Sequence, residues 1–282
     1  MRSFRTVLVA LVLALMSVPV FGQEPSYFVT YDHYLEEPGN LEIAVVSTTG
    51  LPKHDHAAYT APWLELEYGM TGWWTAELYL EGVTTRGDGS AFTGWRWENR
   101  FRPFKAEHRL NPVIYVEFEN VNEASRIQKE IVGDGPVAFE PIAQLKHERA
   151  RELEGRLILS SVVGAWNVSE NVIMEKNFSE DEGVEFGYSI GAARPLGTLA
   201  SATACRFCRE NFVAGLEMYG GLGNTQAFGL HGARHYVAPV FEWRFSDRST
   251  VKISTGFGLT GVSDRFLVRV GWTYEMSTRR RP

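Results

Sequence analysis

Hydrophobic and polar positions alternate along most of this chain with a period of two. In DRFLVRVGWTYEM, Phe266, Val268, Val270, Trp272, Tyr274 and Met276 share one parity, and Leu267, Arg269, Gly271, Thr273 and Glu275 share the other. Successive side chains of a strand point to opposite faces, so the pattern predicts strands with one greasy and one polar face. The same alternation recurs in PWLELEYGM, WTAELYLEG, GWRWENRFR, VIYVEFE, VEFGYSIGA, FVAGLEMYG, VAPVFEWRF and VKISTGFGL. Weaker candidates fill the gaps at Leu41 to Thr48, Arg156 to Val163 and Trp166 to Glu175. The total is about twelve strands of roughly eight to eleven residues, long for a soluble sheet and suited to a tilted crossing of hydrocarbon.

The polar face is charged. It carries Glu65, Glu67, Glu77, Glu98, Glu117, Glu119, Glu185, Glu217 and Glu242, with Arg96, Arg100, Arg244 and Arg269. The other face is nearly free of charge, Glu170 being the exception. A soluble sheet would bury the greasy stripe; a barrel in lipid turns it outward and encloses the charges. Strands can cross a bilayer only as a closed barrel, because every backbone polar group must be paired internally. The expected fold is therefore all-β: a transmembrane, antiparallel, up-and-down barrel spanning residues 40–276, with these charged residues lining the lumen and forming candidates for a ligand path. Long connections alternate with tight ones such as Thr71-Gly72 and Gly164-Ala165, which places both chain ends on the short-turn, periplasmic rim. The longest connection, residues 120–150, is charged and reads as a surface loop, with a lid or plug as alternatives. Residues 194–211 are long where a tight turn is expected.

The N-terminus supplies the compartment. Arg2 and Arg5 precede an apolar run from Val7 to Met16, and Val20-Phe21-Gly22 offers a cleavage site. Residues 1–22 read as a signal peptide, 23–39 as a periplasmic lead-in and 277–282 as a basic tail. Export favours the bacterial outer membrane, with lipid as the partner. The only cysteines, Cys205 and Cys208, fit a local disulfide in an oxidising space. Net charge is −6, so no basic face argues for nucleic acid. Hydrophobic residues make up 44% of the chain. Mean hydropathy is nonetheless slightly negative, which again means fine interleaving.

LELEYGMTGWWTAELYLEG resembles the EYGxTxxW…E hairpin of a family of bacterial outer-membrane β-barrel transporters named for an association with the meta-pathway of phenol degradation. WENRFRPF, NPVIYVEFEN, EKNF and VEFGYSIGAARPL are similar to its later strands, so the resemblance covers roughly Asn40 to Leu196. It implies a porin-like barrel with a transport role and names no substrate.

Candidate chemistry is sparse. His54, Asp55 and His56 lie in the first long loop, and His231 and His235 in a Gly-rich one, where polar loop residues are a simpler reading than metal ligands. No GxSxG motif and no outward Ser-His pair on adjacent strands is evident. Carboxylate pairs such as Glu65/Glu67 and Glu117/Glu119 read as lumen lining rather than as an acid and a base. RGD at Arg86 to Asp88 and NVS at Asn167 are short chance matches. The reading is a non-enzymatic barrel without cofactor or metal, a channel or transporter for small solutes. The alternatives are a structural or adhesive barrel with a blocked lumen, then an outer-membrane hydrolase or a soluble periplasmic β protein. Solute and oligomeric state stay open.

Overall fold

The computed structural model describes residues 26–53, 56–135, 140–181, 183–199, 201 and 205–277. The expected signal peptide and cleavage site, His54, Asp55 and the tail beyond Ser277 lie outside the described residues. Twelve strands close into one barrel: β1 (Asn40–Leu51), β2 (Tyr59–Thr71), β3 (Trp74–Thr85), β4 (Gly89–Phe101), β5 (Asn111–Asn122), β6 (Arg149–Val163), β7 (Trp166–Asn177), β8 (Glu185–Pro195), β9 (Phe212–Asn224), β10 (His235–Ser246), β11 (Ser249–Gly258) and β12 (Phe266–Ser277). Each strand pairs antiparallel with its sequence neighbour, and β1 pairs with β12 from Asn40↔Ser277 to Leu51↔Phe266. Closure leaves no edge, so every strand backbone has a ladder on both sides. One short helix, α1 (Ile142–Leu145), sits in the β5–β6 connection.

The two faces part as the alternation demands. Trp97 is 51% exposed while its chain neighbour Glu98 is fully buried, and Val270 is 49% exposed while Arg269 is 3%. The greasy stripe therefore looks outward and the ionic stripe inward. This is the opposite of a soluble β protein. Strands run from 10 residues in β11 to 15 in β6. At about 3.3 Å per residue and a tilt near 40°, a twelve-residue strand rises about 30 Å, which matches a hydrocarbon core.

Aromatic rings gather on the outer face near the rim that carries the chain ends. Trp73 and Trp74 lie 6.3 and 6.1 Å from Phe101. Phe212, Trp243 and Phe245 form a second group. Aromatics at such a level suit a membrane interface, where a ring meets both oil and water. The β8–β9 segment docks onto this belt. Its Cys205–Cys208 disulfide closes a short turn, Phe207 stacks on Trp243 at 5.0 Å, and the Trp243 indole donates to the Arg206 carbonyl at 2.9 Å.

Three expectations need adjustment. First, β6 starts at Arg149 rather than Arg156. Its first turn of sequence, RARELEG, shows Leu153 alone as a large apolar outward residue, too little to register as a greasy stripe. Second, residues 26–35, expected in the periplasm, thread into the lumen. Third, the 120–150 loop shrinks to residues 123–148 and folds partly inward rather than resting on the surface. Glu170 stays an outward charge on β7. It stands four residues into the strand, about 1.5 residues from the midpoint of β7.

Candidate functional site: the barrel interior

The lumen is built around a row of like charges. Directly opposed residues on successive strands are Glu275↔Glu42, Glu42↔Glu67, Glu67↔Glu77, Glu77↔Glu98, Glu98↔Glu117, Glu117↔Glu154, Glu154↔Glu175 and Glu175↔Glu185. Nine glutamates thus cross nine strands without interruption, from β12 through β1 to β8. Strand tilt turns the row into a spiral that begins near the terminal rim at Glu275 and ends at the opposite rim at Glu185. Like charges directly opposite destabilise a sheet, so the row requires counter-charges.

Arginines supply them from the neighbouring rows. Arg100 reaches Glu67 at 2.6 Å, contacts Glu98 at 3.0 Å and also bonds Glu77. Arg96 holds both oxygens of Glu117 at 2.9 and 3.0 Å and pairs with Glu81. Arg156 bonds Glu154 at 3.2 Å and lies over the rings of Tyr31 and Tyr115 at 4.9 and 4.7 Å. Tyr79 donates to Glu98 at 2.7 Å. Bidentate guanidinium–carboxylate geometry is the strong form of such pairs. All these groups are buried, so losing one partner strands a charge.

Two segments fill what space remains. From the terminal rim, residues 26–35 enter as a loop. Glu217 on β9 accepts the backbone N–H groups of Phe28, Val29 and Thr30 at 3.0, 2.9 and 2.8 Å. Asn171 binds both the N–H and the carbonyl of Tyr31 at 2.7 and 2.9 Å, and the Tyr31 hydroxyl donates to Glu98 at 3.0 Å. Asp32 accepts from Asn167 at 3.0 Å and from the Tyr34 N–H at 2.9 Å. It is 1% exposed, and burial pushes its carboxyl up to about 6, against the opposing pull of that N–H and of Arg100. The segment leaves past Gly69, where a Cβ would stand 2.1 Å from the Glu37 carbonyl oxygen. Only glycine admits the chain so close.

From the other rim the β5–β6 connection descends. Ile127, Ile131, Val132 and Ile142 join Val29, Tyr219, Tyr236 and Leu267 in an apolar cluster inside the barrel. Gly187 on β8 permits this approach, since a Cβ there would stand 1.8 Å from the Ile131 carbonyl oxygen. Ion pairs fasten the same loop. Lys129 reaches Glu152 at 3.2 Å, and Glu130 pairs with Arg269, which also donates to the Tyr219 hydroxyl at 2.5 Å.

The structure therefore brings Glu67, Glu77, Arg96, Glu98, Arg100 and Glu117 into one network. Glu119 lies beside it, within 4.8 Å of carboxylate oxygens of Glu152 and Glu175. Glu65 faces a second acidic group with Glu42 and Glu67. Glu217 instead anchors the inserted segment, Arg269 anchors the outer loop, and Glu185 closes the glutamate row. Glu242 and Arg244 pair with each other at 2.8 Å, apart from the network. Sequence reading omitted Glu42, Glu81, Glu152, Glu154, Arg156 and Glu175 from the candidates. The E-L-E-G-R alternation at 152–156 was the available signal. His235 lies in β10, bonded to the Leu230 carbonyl at 3.1 Å and near the Tyr188 hydroxyl at 3.2 Å.

A serine and a histidine side chain meet at the inserted segment. The Ser160 hydroxyl is 2.8 Å from His33 Nδ1, and His33 Nε2 is 3.6 Å from Glu107. Ser160 is wholly buried, and no described cavity opens on it. The pair packs the inserted segment against β6.

No protein-family model matches this chain, and no curated protein sequence does. Its fold is similar to solved structures. The COG4313 outer membrane channel from Pseudomonas putida F1 superposes with a TM-score of 0.60 at 10% identity, over 89% of this chain and 100% of that one. The NanC porin superposes with a TM-score of 0.50 at 10% identity, over 84% of this chain and 100% of the porin. At that identity the likeness establishes the outer-membrane-type β-barrel fold.

Proposed function

We propose that this chain is a bacterial outer-membrane barrel that passes small polar solutes through a glutamate- and arginine-lined lumen, represented here in a closed state. The observation that carries this reading is what closes it. The wall encloses a polar interior, and the gaps within it are filled by residues 26–35, which precede β1, and by the β5–β6 connection, residues 123–148, neither of which is one of the twelve barrel strands. Such segments can leave without breaking the barrel ladder. The similarity to a channel and a porin supports the same class, and the meta-pathway family resemblance belongs to this reading as its narrower form. Glu65, Glu67, Glu77, Glu98, Glu117 and Glu119, with Arg96 and Arg100, then line the path, and the arginines set the spacing of the carboxylates.

Planar-bilayer recording tests it. Wild-type protein is expected to conduct weakly, and deletion of residues 26–38 to raise conductance while heat-modifiable migration confirms a folded barrel. A folded deletion variant that stays silent refutes it. A second reading, a structural barrel acting through its outer loops, draws on the apolar seat of Ile127, Ile131 and Ile142, which fixes the outer connection firmly. Silence of the deletion variant selects it. Membrane fractionation tests the location.

A further inference from the structure

Where the glutamate row ends, at the rim away from the chain termini, a cavity of about 230 Å³ opens between the β5–β6 connection and strands β6 to β8. Among the described residues, six carboxylates line it against three basic side chains. Glu152 and Glu175 stand with Glu119, all three offering oxygens within 4.8 Å of one another. Lys129, from the chain's own loop, already sets its ammonium 3.2 Å from Glu152. This wall thus accommodates an amine. The surplus of carboxyl over basic side chains favours a ligand with more positive than negative groups.

One lining group has the opposite demand. Arg234 is 7% exposed, yet no carboxylate pairs with it among the described residues. Its Nη2 donates to the Val132 carbonyl at a long 3.4 Å, and its Nε–H has no acceptor. Glu185 and Asp264 act on it only from beyond contact distance; a buried guanidinium without an anion in contact is costly, and a guanidinium fork fits a carboxylate in particular. A ligand that satisfies both halves of this cavity carries one carboxylate and two basic groups.

We propose that the outer cavity binds small basic amphoteric solutes of the arginine or lysine type, their carboxylate on Arg234 and their cationic groups on the Glu152–Glu175 side. The glutamate row runs from there along the wall toward the other rim. The proposal rests on the preceding reading only in taking this rim as the outward one; it does not require the lumen to conduct.

Calorimetric titration of the full-length mature barrel in detergent micelles tests it. L-arginine is expected to bind saturably. Agmatine, which is arginine without its carboxylate, and citrulline, which lacks the side-chain cation, are each expected to bind roughly thirtyfold more weakly, the scale of losing one buried charge partner. Arg234→Met is expected to lower arginine affinity by a similar factor and to abolish the preference for arginine over agmatine, with heat-modifiable migration reporting that the variant is folded. Absence of saturable arginine binding, or agmatine binding equal to arginine in the wild-type protein, overturns the proposal without recourse to any variant. Arginine binding to a silent barrel would instead end the conduit reading alone, and a conducting barrel indifferent to arginine would end this one alone.

Discussion

Placing an arginine at Val270 separates a lipid-facing wall from a water-facing one. Val270 is outward and 49% exposed, opposite Ser47 on β1 and Ile253 on β11. It lies about 1.5 residues from the midpoint of β12, hence about 4 Å from the bilayer midplane for a strand tilted near 40°. An outward arginine at the midplane of a barrel costs about 2–4 kcal/mol. The same substitution at a half-exposed site on a soluble protein stays within about 0.5 kcal/mol. The assay is reversible denaturant unfolding from lipid vesicles, followed by tryptophan fluorescence. Val270→Arg is expected to lose about 2–4 kcal/mol, and Thr84→Arg, exposed at the end of β3, much less. A Val270→Arg variant within about 0.5 kcal/mol of wild type refutes the assignment of the greasy face to lipid, and with it the membrane barrel.

Further outcomes follow from the interior. Arg100→Met strands Glu67, Glu77 and Glu98 and is expected to destabilise the barrel by about 3–5 kcal/mol. Adding Glu77→Gln should return part of that loss in the same unfolding assay. Gly69→Val forces the Glu37 backbone away and is expected to raise bilayer conductance toward that of the 26–38 deletion. Gly187→Val does the same to the outer loop at Ile131, so the double variant should conduct more than either single one. Asp32 takes up a proton on docking because its carboxyl is raised from 3.8 to about 6. Docking of the inserted segment is therefore strongest below about pH 4, weakens by about 3 kcal/mol as pH climbs to about 6, and is flat above. Conductance should rise across that window in wild type and not in Asp32→Asn.

By itself the sequence determined the strands and their two faces. Side chains alternate strictly along a strand, so Trp97 and Glu98, or Val270 and Arg269, had to part company wherever the chain lay. Strand length and the charged stripe then left a closed barrel as the economical architecture, and twelve strands in meander order are what the structure has. The cysteine pair was equally legible, since a three-residue separation leaves little choice. The interior was not. Residues 26–35 are held through their backbone N–H groups by Glu217, almost two hundred residues away, and a backbone donor leaves no mark on the sequence. Gly69 and Gly187 look like any other glycine until another chain segment lies against them. Each glutamate could be assigned to a face, but their alignment into one row depends on the register of every adjacent strand pair, and a slip of a single residue in one strand would turn that strand's glutamate outward. Local alternation decides which way a side chain points. Only closure of the sheet, by fixing register and enclosing a volume, decides what it points at.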